Sequence, residues 1–254
     1  MKTHLEVLFA PAESAALAQR DLSSTTCVVF DILRATTAII TALAHGAKAV
    51  IPAADLAEAR AWRQRDPAVL LAGERNGLRI RADLTGGVDF DLGNSPREFT
   101  PDRVAGRTIV MTTSNGTGAL RAVVQAPRVL LGSFLNLGAV ADWIARGRPA
   151  ELLLVCGGTL AQTSFEDTLA AGALCDRVWP LYADRNPADS AHIARQMFLT
   201  NCGDLPSAMQ YSRNGRRLLG HPDLRDDVPF CLQQDTLQLL ASLHADGSVR
   251  TLLA

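Results

Sequence analysis

Short aliphatic runs alternate with helical patterns through the first two thirds of the chain. The runs that are predicted to be strands lie at residues 4–9, 27–30, 48–52, 69–72, 108–111, 129–131 and 152–155. The helical patterns lie at residues 14–22, with Ser14 as a cap, and at 38–45, 56–65, 119–124, 139–146 and 169–179. Such alternation is typical of an α/β fold with a largely parallel central sheet.

The alternation is interrupted once and then stops. Residues 73–96 are rich in glycine, aspartate and asparagine, and a loop of this length inside a compact domain favours a functional role. Beyond residue 180 the pattern predicts short helices, at 188–198, 206–211 and 213–219. A hairpin is predicted around 245–248. We therefore expect a single domain, residues 1–254, with an α/β core at 1–180 and a helical and hairpin C-terminal cap at 181–254.

The composition indicates which binding partners and which cellular compartment to expect. The chain has 254 residues, 48% hydrophobic and 20% charged, which is enough to bury a full core. A net charge of −1 gives no electrostatic reason to expect nucleic acid or an anionic membrane as a partner. The five cysteines lack metal-ligand spacing and are odd in number, which favours a reducing cytoplasm. No signal peptide or membrane span is expected, and homo-oligomers are the usual expectation for such proteins.

Polar side chains follow the first buried run. Asp31 and Arg34 come directly after residues 27–30, and Thr36 and Thr37 precede the next helix. A strand that feeds a helix N-terminus through a polar turn is a common anion site. The alternative is that the threonines only cap the helix and that Asp31 only makes a turn.

Later turns repeat this arrangement with more hydroxyl groups and acids. The candidates that follow the strands at 108–111 and 129–131 are Thr113, Ser114, Asn115, Gly116, Thr117 and Ser133. Glu166 and Asp167 open a later helix, where acids also serve as ordinary caps. Because the carboxyl ends of parallel strands meet at one edge, we expect Asp31, Asp91, Glu166 and Asp167 to converge there.

A cluster of carboxylates with few histidines suits Mg²⁺ better than zinc. Lys2 and Lys48 are the only lysines, and neither lies in a P-loop motif. A phosphate would therefore be bound by arginine, hydroxyl groups, backbone N–H groups or a metal. Together these features predict a site for a small anionic phosphoester, and a phosphatase is the simplest enzyme that would use it.

Five motifs, in order along the chain, resemble the 2-phosphosulfolactate phosphatase (ComB) family. They lie at residues 30–37, 73–77, 89–96, 112–117 and 165–173, and the resemblance covers almost the whole chain, including residues 189–191 and 211–231. Ser114 stands where the family pattern has threonine, a change that keeps the hydroxyl group. The resemblance implies a three-layer α/β/α fold. It also implies Mg²⁺-dependent hydrolysis of 2-phosphosulfolactate to sulfolactate and phosphate, as in coenzyme M biosynthesis.

From the residues and the resemblance together we assign expected roles. Asp31, Glu166 and Asp167 are expected to hold Mg²⁺ directly or through water, with Asp91 as a further ligand. Arg34 is expected to contact the phosphate or another acid group of the substrate. The remaining candidates for contact with the substrate are Thr36, Thr37, Glu74, Asn94, Ser95, Thr113, Ser114, Asn115, Gly116, Thr117 and Ser133.

Three alternatives stay open at the level of sequence. Asp31 is either a covalent nucleophile or a group that helps to activate water. The substrate is either 2-phosphosulfolactate or another small phosphorylated hydroxy acid. A binding protein without turnover would share the anion-binding loops, although a cluster of carboxylates repels an anionic ligand unless a metal intervenes.

Overall fold

The computed structural model describes residues 4–114 and 116–252, and within them ten strands form one sheet. In chain order, β1 to β5 are Leu5–Leu8, Thr25–Phe30, Ala49–Pro52, Leu70–Arg75 and Leu78–Arg79. The strands β6 to β10 are Thr108–Thr112, Arg128–Gly132, Glu151–Cys156, Ala241–Leu243 and Val249–Thr251.

Twelve α-helices are present in the described part of the chain. The helices α1 to α6 are Pro11–Ala15, Ala35–Ala44, Leu56–Arg65, Ala82–Thr85, Pro101–Val104 and Gly116–Ala122. The helices α7 to α12 are Leu137–Gly147, Phe165–Tyr182, Asp189–Asn201, Leu205–Ala208, Arg213–Leu219 and Asp227–Cys231. Short 3₁₀ turns lie at Ala16–Gln19, Pro96–Glu98 and Phe134–Asn136. The α/β prediction is confirmed.

The sheet consists of two parallel halves joined by the C-terminal hairpin. Its strand order is β1-β8-β2-β7-β9-β10-β3-β6-β4-β5. The strands β1, β8, β2 and β7 pair in parallel, as do β3, β6 and β4. Between the halves, β9 and β10 make three successive antiparallel pairings, β7 with β9, β9 with β10 and β10 with β3. The two parallel halves therefore run in opposite directions along the sheet.

One buried helix, α2, brings the two halves together. Every residue from Ala35 to Leu43 is buried, because the helix has no charged side chain and its threonine hydroxyls bond to backbone carbonyls. Its side chains share one hydrophobic cluster with residues from nine strands, β1 through β4 in the order of the sheet. The sheet therefore curves around α2, and the loop after β6 reaches the turn after β2. There, a Cβ atom on Gly116 would lie 2.7 Å from a carboxylate oxygen of Asp31.

Outer helices cover the opposite face of the sheet and complete three layers. The helices α7, α8 and α9 pack on the half that contains β1, β8, β2 and β7. The helix α3 packs on the half that contains β3, β6 and β4. In the described residues, no helix is both long enough and apolar enough to cross a membrane.

Three local features differ from the sequence expectations. Helix α1 begins at Pro11 rather than at Ser14, because Glu13 in the first turn accepts hydrogen bonds from the N–H groups of Phe9 and Ala10. Residues 73–96 are not one long loop, since β4 turns back into β5 through Asn76 and Gly77. Both turn residues have positive φ, 55° and 84°, which is typical of a tight type I′ hairpin.

The C-terminal segment is also more integrated than expected. The predicted hairpin is present, but it lies in the middle of the sheet. The stretch before it contains the short helix α12, which the sequence analysis did not predict.

Removal of core volume from α2 tests its central position. Ile39 is fully buried, so Ile39→Ala should lower the free energy of unfolding by about 2–5 kcal/mol. The matched control Ile193→Ala, at a position that is 58% exposed on α9, should change it by less than about 0.5 kcal/mol. Urea denaturation measures both values, and equal effects would contradict the placement of α2.

Candidate active site

The turn after β2 is fixed by its own threonines. The backbone N–H of Asp31 donates to the Thr36 hydroxyl (3.0 Å), and that hydroxyl lies 2.8 Å from the carbonyl oxygen of Gly132 on β7. The Thr37 hydroxyl donates to the carbonyl of Ile32 (3.0 Å). The peptide bond between Leu33 and Arg34 is cis. Thr36 and Thr37 therefore shape the turn, and neither lines the neighbouring cavity.

The two carboxylate oxygens of Asp31 differ in their hydrogen bonding. Oδ1 accepts a hydrogen bond from the N–H of Ala35 (3.1 Å), at the start of α2. No hydrogen bond from a described residue reaches Oδ2. That oxygen lies against two glycines, since a Cβ on Gly116 or Gly157 would approach it to 2.7 or 3.0 Å. The glycines leave room around Oδ2 that any side chain would fill.

Four acidic residues, all less than a tenth exposed, surround this turn: Asp31, Glu74, Glu166 and Asp167. The pKa of Asp31 is raised to about 7, mainly by burial and also by the negative charges of Glu166 and Glu74, while the Ala35 N–H and Arg34 lower it. Burial and the charges of Asp31 and Glu166 likewise hold the pKa of Asp167 well above its usual range. The neighbouring negative charges thus destabilise the charged forms of Asp31 and Asp167.

Three of these acids already accept hydrogen bonds at both oxygens. Asp167 accepts from the N–H groups of Ile32 (2.7 Å) and Gly158 (3.1 Å). Glu74 accepts from the N–H groups of Gly77 (2.6 Å) and Ser114 (2.8 Å). These two carboxylates hold the loops around Asp31 in place.

Glu166 was expected to hold Mg²⁺ or to cap its own helix, but it binds the side chains of another helix. Its oxygens accept from the Ser212 hydroxyl (2.5 Å) and from the Asn214 amide (2.7 Å). Glu166 therefore connects the start of α8 to α11, and sequence patterns gave no sign of this contact.

A cavity of about 150 Å³ opens beside Asp31. The predicted residues that line it are Asp31, Arg34, Glu74, Asn94, Thr113 and Ser114. The lining residues that were not predicted include Asn76, Gly77, Thr159, Leu160, Arg213, Asn214 and Arg217. Asn94 is 5% exposed, and no hydrogen-bond partner reaches its Oδ1 atom within the described part of the protein.

Arg34 is buried and is paired with an acid that sequence reasoning missed. Its guanidinium donates to Oδ2 of Asp227 (2.6 Å) and to the carbonyl of Gly77 (2.5 Å). Asp227 is fully buried on α12 and also accepts from the Ser95 hydroxyl (2.6 Å) and from Arg97 (2.8 Å). Ser95 thus acts on the cavity only through Asp227.

Other predicted site residues lie apart from the cavity lining. The Ser133 hydroxyl lies 3.1 Å from the Asn136 side-chain oxygen at the end of β7. The Thr117 hydroxyl lies 3.4 Å from the carbonyl of Thr113 within the first turn of α6. Gly116 adjoins Asp31, as described above. Asn115 lies outside the described residues.

The expected convergence of Asp91 with the other acids is wrong. Its carboxylate pairs with Arg63 and accepts from the N–H of Leu71 (2.7 Å). Leu71 lies near the start of β4, whereas Glu74 lies near its end. Asp91 is therefore displaced by most of the length of a strand from the edge where the other acids meet.

No three acidic, histidine or cysteine side chains of the described residues are arranged to hold a metal ion. Two residues that line the cavity each carry an oxygen that accepts no hydrogen bond from these residues, Oδ2 of Asp31 and Oδ1 of Asn94. Mg²⁺ commonly uses one or two protein oxygens and completes its shell with water and substrate phosphate. The donor set fits such an ion.

Comparisons with known proteins agree along nearly the whole chain. A family model described as 2-phosphosulpholactate phosphatase matches residues 13–246. A "Probable 2-phosphosulfolactate phosphatase" of Caldanaerobacter subterraneus subsp. tengcongensis is 40% identical over 237 residues, covering 91% of this chain and 92% of the relative. Proteins with the same name from a Synechococcus species and from Thermotoga maritima are 39% and 35% identical, covering 84% and 86% of this chain and 86% and 88% of theirs.

The raised pKa of Asp31 predicts how stability depends on pH. The folded, metal-free protein holds a proton on Asp31 up to about pH 7, whereas the unfolded chain releases it near 3.8. The stability that this proton contributes is complete below pH 3.8 and is lost as the pH rises through 7. Asp31→Asn should therefore be more stable than the parent protein at pH 8 by about 1–3 kcal/mol.

Urea denaturation in EDTA at pH 5 and pH 8 measures this difference. The advantage of Asp31→Asn should be smaller at pH 5, because the parent is then largely protonated at Asp31. An advantage that did not change with pH would contradict the assignment.

Loss of Asp227, the acid that pairs with Arg34, should destabilise the folded protein. Asp227→Asn leaves a buried guanidinium without its counter-charge, so we expect the free energy of unfolding to fall by about 3 kcal/mol. The neighbouring Asp226 has a side chain that is 64% exposed, and Asp226→Asn should cost less than about 0.5 kcal/mol. Thermal or urea denaturation distinguishes them, and a neutral Asp227→Asn would show that the pair does not hold Arg34.

Proposed function

Because the chain belongs to the 2-phosphosulpholactate phosphatase family, we propose that it hydrolyses 2-phosphosulfolactate to 3-sulfolactate and inorganic phosphate. In this proposal it is a cytoplasmic enzyme, and its reaction is the one that coenzyme M biosynthesis uses to release sulfolactate. The substrate is a small phosphate monoester that carries two further acid groups. Its size suits a cavity of about 150 Å³.

The observation that carries the proposal is that Asp31 lines the cavity and that its Oδ2 atom accepts no hydrogen bond from the described residues. Since Oδ1 is held by the Ala35 N–H, Asp31 would act on the phosphate ester through Oδ2, as nucleophile or as the group that orients water. Arg34 keeps a positive charge near this carboxylate and is itself held by Asp227. Both groups come from the same short turn, so their relative position is fixed by the fold.

We further propose Mg²⁺ as the cofactor. Asp31 and Asn94 would contribute oxygens, and a bound ion would offset the repulsion among the buried carboxylates. When bound, the ion supplies positive charge to the phosphate oxygens. Glu166 and Asp167 would support the site indirectly, since their oxygens already accept hydrogen bonds from the protein.

Phosphate release tests the function. The substrates are 2-phosphosulfolactate, 2-phospholactate and phosphoglycolate, each assayed with Mg²⁺ and with EDTA. We expect Mg²⁺-dependent release with a preference for the sulfonate substrate. Asp31→Asn should reduce kcat/KM by at least about 100-fold, the scale of a lost acid–base or nucleophilic group.

The matched control is Asp102→Asn, at an exposed position on α5, which should keep the parent rate. Similar rates on all three substrates would support a phosphatase for another small hydroxy acid. No release from any of them, by a folded protein that binds 3-sulfolactate, would favour a binding protein. Full activity of Asp31→Asn would remove the centre of the proposal.

A further inference from the structure

Helix α11 brings two arginines to the cavity that the reaction at Asp31 does not use. Arg213 and Arg217 both line it, and they are four residues apart, so they lie on the same face of the helix. Arg217 also lies beside the Asn76–Gly77 turn, since a Cβ on Gly77 would be 3.7 Å from its guanidinium carbon. The cavity therefore has a wall of positive charge that comes from the C-terminal third of the chain.

These two guanidinium groups have neutral partners. Arg213 donates to the side-chain oxygen of Gln162, and Arg217 donates to that of Asn214 (3.1 Å). Within the described residues, neither arginine forms an ion pair, whereas Arg34 is paired with Asp227. Because their charges are not balanced by a nearby carboxylate, both are free to bind an anion that enters the cavity.

The position of α11 is set by the acids at the centre of the site. Glu166 accepts hydrogen bonds from Ser212, the N-cap of α11, and from Asn214 in its first turn. The Asn214 amide also lies 2.8 Å from the Thr159 hydroxyl, in the loop after β8. The two arginines therefore extend from a helix that is hydrogen-bonded to the loops around Asp31. These hydrogen bonds fix the position of the helix relative to the Asp31 carboxylate.

Arg213 and Arg217 are separate from the arginine that acts on the Asp31 carboxylate. Among the arginines of the cavity, Arg34 acts most strongly on Asp31. Arg213 and Arg217 are held instead by groups of the 159–162 loop and of α11 itself. A substrate whose phosphate lies at Asp31 would present its other end to α11.

We propose that Arg213 and Arg217 bind the sulfonate of 2-phosphosulfolactate and so select this substrate over phosphorylated hydroxy acids that lack the group. The proposal rests on the proposed function and adds its specificity determinant. A sulfonate is a tetrahedral anion with three acceptor oxygens, and paired guanidinium groups can donate several hydrogen bonds to it at once. A lone carboxylate at this end would use fewer of these donors.

The test compares two substrates that differ only at this end. In 2-phospholactate a hydrogen atom replaces the sulfonate, while the phosphate and the carboxylate are kept. For Arg213→Gln, Arg217→Gln and the double variant, kcat/KM is measured on both substrates. We expect the ratio of 2-phosphosulfolactate to 2-phospholactate to fall about 10- to 100-fold in the double variant, mainly through KM, as charge-assisted hydrogen bonds are lost.

Arg216→Gln is the matched control. Arg216 lies on the same helix, is exposed, does not line the cavity, and donates to the carbonyl of Gln210 (2.6 Å). The substrate ratio should stay at the parent value in this variant. Equal losses on both substrates in the double variant would overturn the proposal, because they would place the arginines on the phosphate or the carboxylate.

A binding measurement separates failure of this proposal from failure of the proposed function. Calorimetry with 3-sulfolactate and with lactate needs no turnover. If the parent protein releases no phosphate, the proposed function fails, and binding still decides the role of the arginines. We expect the double variant to lose at least about tenfold in affinity for 3-sulfolactate. An unchanged affinity would overturn the assignment, whatever the enzyme assay shows.

Discussion

The structure depends on the burial of four carboxylates around the end of one strand. Such charges are costly away from water, and here each carboxylate accepts at least one hydrogen bond from an N–H or O–H donor of the protein. The donors come from the turns after β2, β4, β6 and β8 and from α11, so the same hydrogen bonds that offset burial also fix these segments relative to one another. Asp31 differs from the others, since one of its oxygens is left for chemistry. A site of this kind trades stability for a reactive group.

The fold and the centre of the site were predictable because both depend on local patterns. Aliphatic runs of three to six residues became strands, and residues one or two positions beyond them, such as Asp31 and Ser114, line the cavity. The hairpin at Asn76 and Gly77 was also present in the sequence as a strong turn signal, but the polar content of residues 73–96 concealed it. Its positive φ angles explain why this pair occurs there.

The remaining site residues depend on contacts that no local pattern contains. Asp227 meets Arg34 across 193 positions of the chain, and Arg213 and Arg217 lie on a short helix in a region without strand periodicity. Asp91 shows the converse error. Its motif suggested a ligand, but the β4–β5 hairpin sets it near the start of β4, where it pairs with Arg63. The motif at residues 89–96 therefore did not show which end of β4 Asp91 would lie beside.

The hairpin at the centre of the sheet has a consequence for the order in which the protein can fold. The strands β9 and β10 follow the other eight in sequence, and among the described strands they are the ones that connect the two parallel halves through backbone hydrogen bonds. During synthesis, β7 and β3 must wait as open edges until residues 241–251 have left the ribosome. The last strands to be synthesised therefore insert into the middle of the sheet and do not add to its edge. The pairing of β10 with β3, between the last and first thirds of the chain, is then a late step in folding.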